Sequence, residues 1–229
     1  MATIVISIGG SILLEDMSKT DYIDSLSDLL TNLSTTHKLY LVVGGGKISR
    51  QYIKLARALG ADEVSLDELG IECTRLNARI LITALGNENV YPFPIKTIEE
   101  TVEVGNKYSM TVMGGTVPGH TTDAVAAELA ESVNAERLII ATSVDGVNIA
   151  DPKKDPSAEK LDEVTAEKLV EIVSKEDHKG AGPNVVVDLP ASKAIARTGI
   201  LTYVLDGRDL DSLEKAVNNE KFNGTIIKS

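Results

Sequence analysis

The sequence predicts an α/β fold built on a largely parallel sheet. Short apolar, β-branched runs alternate with segments whose apolar residues recur at helical spacing. Three of the apolar runs also end directly in glycine clusters: Gly9-Gly10-Ser11, Gly44-Gly45-Gly46-Lys47 and Gly114-Gly115-Thr116.

Residues 3–8 (TIVISI) form the first predicted strand, ended by Gly9-Gly10. Tyr22, Leu26, Leu29 and Leu33 place a helix over 19–34. The run 39–43 (LYLVV) is a second buried strand, and Ile48, Tyr52, Leu55 and Leu59 mark a helix that stops near Gly60. Residues 66–85 read as one long helix with a polar face. A helix over 97–106 is flanked by short strands near 90–93 and at 110–113. Val125, Leu129 and Val133 share a stripe of a helix over 122–133, and 137–141 (RLIIA) is the next strand. Residues 143–162, rich in Asp, Pro and Lys, read as a loop. Helices over 165–174, 189–197 and 210–218 and strands at 201–205 and 224–227 complete the chain. There is no internal repeat, and a soft division near residue 135 separates two lobes sharing one sheet.

With 229 residues, 43% of them hydrophobic, the chain can bury a core in one large or two small domains. No apolar run approaches the ~20 residues of a membrane helix. Residues 1–8 lack the basic start and longer apolar stretch of a signal peptide, so the reading is cytoplasmic, with no membrane partner. A net charge of −11 argues against a nucleic-acid partner, which needs clustered Lys and Arg. A nest of backbone N–H groups still binds a small anion at any global charge. Cys73 is the single cysteine, and His37, His120 and His178 have no metal-ligand spacing, so no metal site is predicted.

Ligands of open α/β sheets bind off the carboxyl ends of the strands, where glycine lets backbone approach a phosphate and a helix N-terminus adds free N–H groups. One glycine cluster alone reads equally well as a tight turn. Three at equivalent strand ends favour phosphate binding. None matches the P-loop or the dinucleotide fingerprint. Arg50, one turn past the second cluster, sits at a helix N-terminus where a bound anion would explain a cation; Lys47 is equally consistent with a solvated first turn. The segment 114–124 (GGTVPGHTTDA) is the densest polar group. Thr121 or Thr122 can cap the helix that follows, and Asp123 in its first turn could orient a magnesium-bound phosphate or a catalytic lysine. His120 is assigned a hydrogen-bonding role, since no Ser/His/Asp order points to hydrolysis. Thr142 to Val147, with Asp151-Pro152 beyond, suggests a loop shaped around a nucleobase and ribose, whereas Lys193 taken alone reads as surface.

Together these motifs resemble the amino acid kinase family, most closely its archaeal uridylate (UMP) kinase branch. The matching pieces are ISIGGSIL at 6–13, VVGGGKISRQYI at 42–53, DELGIECTRLNA at 67–78, VMGGTVPGHTTDAVAAELAE at 112–131, TSVDGVNIADPKKDPSA at 142–158, DLPASKAIARTG at 188–199 and NGTIIK at 223–228. The resemblance implies a three-layer αβα sandwich with a mainly parallel central sheet. Residues 1–135 would bind the acceptor and make oligomer contacts, and 136–229 would bind ATP. It implies transfer of the γ-phosphoryl group of ATP, with Mg²⁺, to UMP, giving UDP and ADP in pyrimidine nucleotide biosynthesis, by a homo-oligomer of the hexameric kind. Carried over by position, Gly9, Gly10, Ser11, Gly46, Arg50, Thr142, Asn148 and Asp151 would meet ATP. Gly45, Asp67, Thr116, Val117, Pro118, Gly119, His120, Thr121 and Thr122 would meet UMP, with Asp67 on the ribose. Asp123 and Lys193 match the polar positions that organise transfer.

Two departures stand out. Many members carry a lysine two residues before the first glycine, where this chain has Ser7; archaeal UMP kinases often lack it too, and Lys193 would then carry more of the charge stabilisation. The adenine loop often has a tyrosine where this chain has Asn148. The rivals are another kinase of the same fold, such as one acting on isopentenyl phosphate, and a non-catalytic nucleotide-binding protein; the latter would be expected to lose Asp123 or Lys193, and both are present.

Overall fold

The computed structural model describes residues 1–86, 88–149, 158–177 and 186–229. The strands are β1 (Ala2–Ile8), β2 (His37–Val43), β3 (Met110–Met113), β4 (Arg137–Thr142), β5 (Val147–Asn148), β6 (Lys160–Leu161), β7 (Glu163–Thr165), β8 (Thr202–Asp206) and β9 (Thr225–Lys228). The helices are α1 (Gly10–Leu13), α2 (Asp21–Leu33), α3 (Gly46–Ala58), α4 (Glu63–Leu85), α5 (Ile98–Gly105), α6 (Thr122–Ser132), α7 (Ala166–Asp177), α8 (Leu189–Thr198) and α9 (Leu210–Val217).

Seven strands form one sheet in the order β3-β2-β1-β4-β8-β9-β7. The first five run parallel; β9 is antiparallel to β8, and β7 is parallel to β9. The pleat of β1 shows why two helical layers form. Ile4, Ile6 and Ile8 enter a core with Leu26 and Leu30 of α2, Leu81 and Ile82 of α4, and Leu213 of α9. Val5 enters the opposite core with Val125 and Leu129 of α6, Leu169 of α7 and Ile195 of α8. The expected αβα sandwich is therefore observed, and because its central strands are buried on both faces they read as continuous apolar runs.

Local chemistry sets the boundaries. Asp62 accepts from Ser65 N–H and starts α4 three residues before the expected Leu66. Asp188 caps α8 and Asp209 caps α9 in the same way. The strand expected at 90–93 reduces to single bridges, Val90 to Met110 and Ile95 to Met113. Pro92 and Pro94 lack the N–H groups that a longer ladder needs. The region read as a loop over 143–162 contains a short antiparallel ribbon, β5 with β6. Val147 N–H is held by Thr225 Oγ1 at 2.8 Å, and that hydroxyl donates to Leu161 O, so β9 fixes the ribbon.

Candidate active site

Parallel pairing puts the carboxyl ends of β1, β2, β3, β4 and β8 on one edge of the sheet. Every glycine cluster found in the sequence lies there. The first two are packed backbone to backbone. A Cβ on Gly10 would overlap Gly44 O and come within 2.6 Å of Gly46 N, while one on Gly46 would lie 2.5 Å from Gly10 O. Gly46 also has φ +65°, which favours glycine. Only glycine lets α1 and α3 begin this close together.

The third cluster is tied to α4. Gly115 N–H donates to Thr74 Oγ1 at 2.7 Å, and that hydroxyl donates to Ile71 O at 2.6 Å. Asn77 Nδ2, buried, donates to Gly44 O at 2.8 Å and Gly45 O at 3.1 Å. Arg75 reaches Thr116 O at 3.3 Å. The buried face of one helix thus holds two of the three glycine turns. Asp67, at the start of the same helix, accepts from Gly119 N–H at 2.7 Å across the loop 116–121. Gly119 adopts φ +84° there.

These connections enclose a cleft of about 290 Å³. Gly45, Asp67, Val117, His120, Thr121 and Thr122 line it, with Ser49, Gly70, Thr74 and Gly115. Thr116 and Pro118 line an adjoining open groove with Glu68, Glu72 and Arg75. Thr121 is the cap of α6, accepting from Ala124 N–H at 3.2 Å, which leaves Thr122 directed to the cleft lining. His120 Nδ1 stands 3.6 Å from a Glu128 carboxylate oxygen.

The other half of the edge is assembled differently. Gly9 N–H donates to Ala141 O at 2.9 Å, joining the first turn to β4. Arg50 donates to Ser11 Oγ at 3.0 Å, and Lys47 reaches Glu15 O at 3.4 Å. Thr142 O accepts from Gly207 N–H at 2.8 Å. Arg208 pairs with Asp206 at 2.6 Å and donates to Ser143 O at 2.9 Å. Asn148 sits in the ribbon opposite Lys160. Asp151 lies outside the described residues. Lys193 is exposed on α8 and makes no hydrogen bond or ion pair among the described residues.

Asp123 stands between the two halves, in the first turn of α6. Its Oδ1 accepts from Ser7 Oγ of β1 at 2.6 Å. Burial raises its pKa to about 6; the Ser7 hydrogen bond opposes that rise, and the negative charge of Asp188 adds to it. The described residues contain no group of three His, Cys, Asp or Glu placed to hold a metal ion.

Sequence reasoning passed over Thr74, Asn77, Asp188 and the turn Asp206-Gly207-Arg208. The first two had a signal: they are polar residues on the buried stripe of α4, and such groups are retained where they satisfy a partner. Asp188 reads only as a cap, and the β8 turn has no glycine pair.

The amino acid kinase family model matches residues 2–206. The uridylate kinase of Natronomonas pharaonis is 48% identical over 98% of both chains. That of Thermococcus onnurineus is 44% identical over 98% of this chain and 99% of its own. The crystal structure of uridylate kinase from Archaeoglobus fulgidus superposes with a TM-score of 0.88 at 44% identity, covering 98% of this chain and 99% of that one. The UMP kinase of Bacillus anthracis, at 20% identity and a TM-score of 0.79, shares the fold.

Proposed function

The chain belongs to the amino acid kinase family, and on that premise we propose that it is a UMP kinase, transferring the γ-phosphoryl group of ATP to UMP to give UDP and ADP. The observation that carries the reading is the cleft beside Asp67, in a chain whose whole length matches proteins named uridylate kinase. It is a glycine-floored cavity beside a helix N-terminus, with apolar walls from Ile53, Ile71 and Val117, suited to a nucleoside monophosphate.

UMP occupies this cleft, with its phosphate against the α6 N-terminus and the Thr121–Thr122 hydroxyls and its ribose on Asp67. Asp67 would keep Oδ2 on Gly119 N–H and offer Oδ1 to the ribose hydroxyls, so acceptor binding and the position of the 116–121 loop are linked. ATP lies along Gly9, Gly10, Ser11, Gly46 and Arg50, with Thr142, Asn148 and Asp151 on the adenosine side. Residues 1–135 then form the acceptor lobe and 136–229 the ATP lobe. Magnesium, bound with ATP, would supply positive charge that offsets the charge of the phosphates. The packed glycine turns set the two phosphates in line, and their fixed N–H groups stabilise charge on the transferring group. Asp123 and Lys193 organise that centre, the lysine swinging in from α8 as the cation that Ser7 does not supply.

The enzyme acts in the cytoplasm as a homo-oligomer, of the hexameric kind that the family resemblance implies. Exposed apolar residues on α3 (Tyr52, Leu55) and α4 (Leu76, Ile80) provide surface for such contacts.

Incubation of the purified protein with MgATP and a panel of acceptors, UMP beside other nucleoside monophosphates, isopentenyl phosphate and acetylglutamate, is expected to form UDP. Turnover of another acceptor with none of UMP would overturn the assignment.

A further inference from the structure

Ser7 is an anomaly of the central strand. It lies in register with Val42 of β2 and Ile140 of β4, is 1% exposed, and shares its face of β1 with Val5. A hydroxyl among such neighbours is unfavourable unless it is bonded. Its bond crosses to α6, 116 residues away, and ends on Asp123. The 2.6 Å separation is that of a hydroxyl donating to a carboxylate.

We propose that Ser7 is the positioning residue of the transfer centre: its hydroxyl fixes the orientation of the Asp123 carboxylate from the rigid floor of the sheet. The proposal rests on the assignment of Asp123 to that centre. β1 is the best anchor the fold offers, since it is hydrogen-bonded on both sides and buried on both faces. A serine there has one staggered torsion to set and nothing flexible beyond it. It cannot supply the charge of a lysine, but it can hold an acid still. The same bond favours the ionised form of Asp123 against the effect of burial. Among the described charged groups on elements packed against α6, Asp188 is the one that acts on Asp123. Arg197 of α8 is engaged with Glu131, and Arg137 at the start of β4 with Glu136.

Two measurements on the full chain test this. In steady-state assays with MgATP and UMP from pH 5 to 9, Ser7→Ala is expected to lower kcat roughly 10- to 100-fold with both KM values within about twofold. Its acid limb should move to higher pH. Ser7→Thr, which keeps the hydroxyl, should recover most of the loss. In an Asp123→Asn background, Ser7→Ala should add almost nothing. The second measurement needs no turnover: the Asp123 carboxyl carbon, assigned by its loss in Asp123→Asn, is titrated by NMR. Its midpoint should rise in Ser7→Ala and stay near wild type in Ser7→Thr. An unchanged midpoint, a kcat within twofold of wild type, or an equal effect in the Asp123→Asn background would each overturn the proposal. If the wild type phosphorylates another acceptor, UMP specificity fails while the proposal is tested with that acceptor; if it phosphorylates none, both fall.

Discussion

The proposed acceptor cleft and the proposed donor edge share one rim of the sheet but are held by different means. On the acceptor side, side chains of α4 bond to the backbone of the glycine turns and loop: Thr74 to Gly115, Asn77 to Gly44 and Gly45, Asp67 to Gly119. On the donor side, the turns are joined by backbone bonds, Gly9 to Ala141 and Gly207 to Thr142, and by exposed arginines, Arg50 to Ser11 and Arg208 to Ser143 O, while Lys193 stands exposed. On the proposed assignment, the acceptor site would be built into the fold and the donor site completed by its ligand. A preformed pocket spends little ordering entropy on its ligand, and a cation that waits in water is engaged only when a phosphate arrives.

Asp123 is where the two meet, so its loss should have the largest effect. Asp123→Asn is expected to reduce kcat by roughly 10²- to 10⁴-fold with modest changes in either KM. Its stability should move the other way. The folded pKa of about 6 exceeds the ordinary 3.8, so the folded chain binds this proton more tightly than the unfolded chain does. That contribution is complete below 3.8 and is lost as pH rises through 6. At pH 8 Asp123→Asn should therefore be more stable than wild type, by on the order of 3 kcal/mol. The gain should vanish near pH 4. Thermal melts at the two pH values check this, and a variant less stable at pH 8 would show that ionised Asp123 is held by more than Ser7.

Lys193→Ala probes the ligand-completed side. Turnover should fall roughly 10²-fold, while the KM for UMP stays within about twofold and the melting temperature is unchanged. An unaltered kcat would remove Lys193 from the centre and with it the contrast between the two sides.

Legibility followed the same divide. The glycine turns and the α6 cap are legible because strand ends, caps and glycine pairs have local signatures, whereas the UMP assignments, Asp67 above all, rest on the family resemblance. Six of the nine residues assigned to UMP line the one cleft. Lys193 carried no local signal and was reached through family resemblance. Thr74 and Asn77 were hidden for another reason: their bonds span dozens of residues, and sequence spacing shows only that polar groups interrupt a buried stripe. In the sequence Ser7 stands out only as the absence of a lysine. That it points at Asp123 depends on how α6 crosses β1, which no local pattern encodes.

Asn77 tests whether the acceptor side is preformed. Truncation in Asn77→Ala would leave the buried Gly44 O and the half-buried Gly45 O without this donor. Unfolding free energy should drop by about 1–3 kcal/mol, and the KM for UMP should rise more than that for ATP. Equal rises would mean that α4 supports both sites through the shared Gly10–Gly46 contact.

The smallest effect is expected at Asp67. Asp67→Asn keeps the size of the side chain and can still accept from Gly119 N–H through its amide oxygen, but it loses the charge. The loop should therefore stay in place while the ribose hydroxyls lose a charged acceptor. A charge-assisted hydrogen bond exceeds a neutral one by about 1 kcal/mol, so the KM for UMP should rise roughly fivefold, with kcat and the KM for ATP little changed. Asp67→Ala removes the loop contact as well and should raise the KM for UMP further. If the two variants behave alike, the Gly119 bond contributes nothing to the cleft, and the acceptor loop is held by Thr74 and Arg75 alone.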